Sequence, residues 1–80
     1  MNIYLIEREY HIYMSGAYNA HVIAANDEAE VRKIAKKTYP DKETDWDKAK
    51  VTLQGIYTGE HKNPFIILSD FDNGLTGIMV

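Results

Sequence analysis

The sequence predicts an α+β fold: a β-β-α-β-β(-β) chain making an antiparallel four- to five-stranded sheet with one helix packed on one face. Three observations carry this. Residues 1–8 and 18–25 are rich in β-branched and aromatic residues and alternate along the chain. Asn26-Asp27-Glu28 then opens an apolar repeat at helical spacing that Pro40 stops. Beyond Lys50, two more strand-like runs follow, and Asn73-Gly74 after the second is a hairpin signal.

In the first strand, Ile3 and Leu5 point one way and Tyr4 and Ile6 the other. Ser15-Gly16 punctuates the connection that follows. Strict alternation along the second strand groups Tyr18, Ala20, Val22 and Ala24 against Asn19, His21, Ile23 and Ala25. With Asp27 as N-cap, Glu30 completes a capping box, and the helix runs to about Thr38. Ala29, Val31, Ile34, Ala35 and Thr38 supply its buried stripe, with Arg32, Lys33, Lys36 and Lys37 opposite. Residues 40–48 form a polar loop around Trp46, and residues 50–58 a third strand. Pro64 suits a strand start, where no N–H is needed. The run 65–71 is the most apolar strand, which places it centrally. A fifth strand, 75–80, pairs back after Asn73-Gly74.

One short helix covers only one face of such a sheet, yet both faces carry apolar residues. Tyr4, Ile6, Ile23, Ile56, Ile66 and Leu68 are the candidates for the face opposite the helix, depending on register. Three covers suit it: a second protomer, a target protein, or the loops bearing Tyr10–Tyr18 and Trp46 folding back.

The chain's 80 residues amount to one domain with a thin stability margin. With no cysteine there is no disulfide framework, thiol chemistry or cysteine zinc site, which suits a reducing, cytoplasmic compartment. The apolar stretch Ile3–Ile6 is too short for a signal-peptide core, and no segment approaches a membrane span. A net charge of −3 argues against a general nucleic-acid binder.

Candidate chemistry reduces to structure at most positions. His11, His21 and His61 are scattered and read as exposed or edge histidines, without metal-ligand spacing. Asp70-Phe71-Asp72-Asn73-Gly74 places glycine one position early for a calcium loop and lacks its closing glutamate, so it reads as a turn. Ser15 and Ser69 have no nucleophile-elbow context and no histidine or aspartate constellation. The basic helix side offers phosphate contacts but no aromatic stacking platform. No cofactor is expected, and the chain is read as no enzyme. Protein contact is the better prospect. Tyr10, Tyr13, Tyr18 and Trp46 pair apolar rings with polar tips, and Asp41, Glu43, Asp45 and Asp47 make an acidic run.

Several segments together resemble a family of very small α/β proteins found in phages and bacterial genomes. These are Tyr4–Arg8, Tyr18–Ala25, Asn26–Ala35, Trp46, Val51–Gly55 and Ile66–Gly74. Asp70 and Asp72 depart from the family's usual tail. In size, acidity, lack of cysteine and strand-strand-helix-strand order the chain is also similar to several anti-CRISPR proteins. The resemblance implies a fold and a phage or mobile-element setting; the surplus apolar sheet face, the tyrosines and the lack of a catalytic set then lead to the expectation of a non-enzymatic inhibitor of a bacterial defence system, a CRISPR effector, acting by occupying its surface. The alternative is a small homodimeric module burying its open sheet face between protomers. Nucleic-acid binding through the basic helix side ranks third.

Overall fold

The computed structural model describes residues 1–9, 17–38 and 46–72. The elements are β1 (Asn2–Glu7), β2 (Ala17–Ala25), α1 (Glu28–Lys36), β3 (Lys50–Ile56) and β4 (Phe65–Asp72). They make one antiparallel sheet in the order β3-β1-β2-β4, with α1 on one face. The expected α+β architecture is therefore present, with four strands among the described residues. The central position expected for residues 65–71 is not: β4 is an edge among the described residues, and the β1–β2 hairpin is the centre. The apolar run of β4 is not a two-sided core, because Ile67, Leu68 and Phe71 are 44%, 65% and 47% exposed. The turn at Asn73-Gly74 and the fifth strand lie outside the described residues.

Helix α1 starts as its cap chemistry dictates. The Asp27 carboxylate accepts the Glu30 N–H at 2.8 Å, satisfying a free donor of the first turn. Glu30 returns the contact one residue earlier than a standard capping box, accepting the Asn26 N–H at 2.7 Å. Val31 and Ala35 are buried and Ile34 packs on the core, but Ala29 is exposed. Ala29 sits in the first turn, before α1 closes on the sheet.

Three one-residue irregularities interrupt the strand alternation. In β1·β3, Tyr4 pairs with Leu53 and Ile3 with Gly55, leaving Gln54 over. In β2·β4, Asn19 on β2 and Ile67 on β4 are the extra residues. The Asn19 bulge overturns the expected grouping of Tyr18 with Ala20, Val22 and Ala24. It carries Tyr18 to the helix side, where its ring lies 5.1 Å from His21 and 4.7 Å from Phe71.

The core lies between α1 and the sheet: Ile6, Ile23, Ala25, Val31, Ala35, Trp46 and Ala49, with Tyr4, Val51 and Ile66 packed against it. This corrects the composition expected for the spare face. Tyr4, Ile6, Ile23 and Ile66 lie under the helix, and of the residues named there only Leu68 lies opposite. Ile56 pairs with Asn2 on the helix side yet is 72% exposed, beyond the helix's cover.

Residues 46–49 are tied to α1 by a basic residue that the sequence places on the solvent side. Arg32 Nη1 donates to the carbonyl oxygens of Trp46 (2.7 Å), Asp47 (3.2 Å) and Ala49 (2.9 Å). Lys36 adds an ion pair with Asp47 at 2.6 Å.

Candidate functional site

Of the residues predicted for partner contact, Tyr18 and Trp46 turn inward and Asp47 is engaged by Lys36. Trp46 is fully buried, so the loop tryptophan is an anchor. Its ring lies 4.6 Å from the Arg8 guanidinium carbon and 5.1 Å from the His21 ring. Tyr10, Tyr13, Asp41, Glu43 and Asp45 lie outside the described residues. So do His11 and Ser15. The basic side of α1 is likewise reduced. Arg32 and Lys36 are committed to the 46–49 segment, leaving Lys33 and Lys37 exposed.

His21 is not the exposed or edge histidine the sequence suggests, being only 1% exposed. Nor is Ser69 isolated from histidine, since His21 Nδ1 lies 2.6 Å from Ser69 Oγ. His21 Nε2 lies 3.1 Å from Thr38 Oγ1, and that hydroxyl donates to the Ala35 carbonyl at 2.6 Å. With its proton committed, Thr38 can only accept from the imidazole. His21 therefore carries its proton on Nε2 and accepts from Ser69 at Nδ1. Burial first, and the Arg8 charge second, lower its pKa from 6.5 to about 4, so the ring is neutral at pH 7. The arrangement ties β2, β4 and the end of α1 together. It makes a poor catalytic dyad, because a base of so low a pKa takes up little of a serine proton and the second ring nitrogen is held by the Thr38 hydroxyl in place of an orienting carboxylate.

The remaining candidate is the sheet face without the helix. Strand partners share a face, so the printed registers lay it out in rows. The upper row is Lys50, Glu7, Ala20 and Asp70, and the middle row Thr52, Leu5, Val22 and Leu68. The lower row is Gly55, Ile3, Ala24 and Phe65. Leu5, Ala20, Val22, Leu68 and Asp70 line a shallow hollow of about 330 Å³. At the lower end the β3–β4 connection packs an aromatic cluster. The Phe65 ring meets Tyr57 edge-on at 5.3 Å and His61 at 4.4 Å, and the Tyr57 hydroxyl accepts the His61 N–H at 3.1 Å. Ala24, in the same row as Phe65, is fully buried. The face thus has a closed aromatic end, an apolar middle and a charged far end. Of the residues lining the hollow, Leu68 alone is among those the sequence offers for the face opposite the helix. Both faces of β1 and β2 are apolar, so alternation separates the two faces without saying which one the helix takes.

No group of three or more His, Cys, Asp or Glu able to hold a metal occurs among the described residues. No helix among them is long and apolar enough to cross a membrane. In comparison with known proteins, the chain matches no family model, no curated protein and no solved structure. The phage-family and anti-CRISPR resemblances therefore rest on the sequence segments alone.

Proposed function

We propose that the protein is a non-enzymatic binding module whose helix-free sheet face docks another protein. The observation that carries this is Leu68, 65% exposed at the rim of the apolar hollow and flanked by the exposed Ile67. A large apolar side chain left exposed at a concave, charge-rimmed hollow marks a contact surface. On the resemblance, the partner is a bacterial defence protein, a CRISPR effector, inhibited by occupation of its surface in the host cytoplasm. The test is inhibition of target cleavage by purified CRISPR effectors, with the wild type and Leu68→Asp compared. Inhibition by the wild type that the variant loses supports the reading. Equal binding or inhibition by both overturns the assignment to this face.

A further inference from the structure

We draw no further inference here: the strongest candidate, the apolar hollow beside Leu68 on the helix-free sheet face, belongs to the docking surface already described, and nothing in the structure shows what covers it.

Discussion

Arg32→Met tests whether the Trp46 segment is held by the helix or merely lies against it. Methionine keeps most of the aliphatic stem and removes every donor. The Nη1 group carries two N–H bonds shared among three carbonyl oxygens, at 2.7, 3.2 and 2.9 Å. Hydrogen bonds to charged groups contribute roughly 1.5–3 kcal/mol each. The Arg32 side chain is 24% exposed, so the lower end of that range applies. Two such bonds give a loss of about 3 kcal/mol. The exposed pair with Glu28 adds only about 0.3–0.5 kcal/mol. In a domain this small the melting temperature falls by about 12–24 °C. Urea unfolding followed by the emission of Trp46, the one tryptophan of the chain, reads the change at the clamped segment itself. Glu28→Gln is the control, since it removes the exposed ion pair and leaves the carbonyl contacts. A loss under about 1 kcal/mol for Arg32→Met, or an equal loss for Glu28→Gln, refutes the clamp.

Three further outcomes are expected. The His21 pKa is lowered from 6.5 to about 4, so the unfolded chain binds the proton more readily between those values. Its contribution is complete above pH 6.5 and is lost as pH falls towards 4, by about 3 kcal/mol, and His21→Asn flattens this slope in urea titrations across that window. A slope unchanged by the substitution removes His21 as its source. Asp27→Ala costs about 1 kcal/mol while Asp27→Asn costs little, and equal losses in chemical denaturation argue against side-chain capping. A Cβ at Gly59 would collide with the Tyr57 hydroxyl. Gly59→Ala therefore costs about 1 kcal/mol in the wild type and much less in a Tyr57→Ala background. Additive losses in that double-mutant cycle place the strain elsewhere.

The elements were legible because their signals are local. The cap at Asp27 and the composition of the first four strands are fixed within a few residues, and these lead to the observed elements, while Pro40 and the fifth strand lie outside the described residues. What escaped depends on pairing. Nothing in the β2 sequence announces that Asn19 is the residue left over, yet that single residue decides which side Tyr18 faces. Arg32 reads as solvated because helical periodicity knows only its own helix. Its partners are carbonyl groups some 14 to 17 positions away, and backbone acceptors leave no trace in side-chain patterning. His21 was misread for the same reason. Its burial comes from Ser69, Thr38 and Trp46, which the fold assembles from three other segments. The spare face was foreseen in existence from one helix set against a sheet, but not in membership, because register and not alternation assigns it.

The strand order has a consequence in time. Residues 2–25 supply both central strands, and the outer strands come from residues 50–56 and 65–72. A ribosome therefore delivers the sheet from the middle outward. The β1–β2 hairpin and α1 emerge together, before Trp46 can close the space between them and before either outer neighbour exists. Each central strand then presents an unpaired edge until its neighbour is made, and β2 waits longest, since β4 ends at Asp72. At about 5–20 residues per second that interval lasts a few seconds. For that time the nascent chain offers an apolar hairpin with two open edges, a template for pairing with its neighbours. Yield on synthesis is thus set by how quickly residues 50–72 follow the hairpin, and slowing translation between them should cost soluble protein without changing the stability of the molecules that finish.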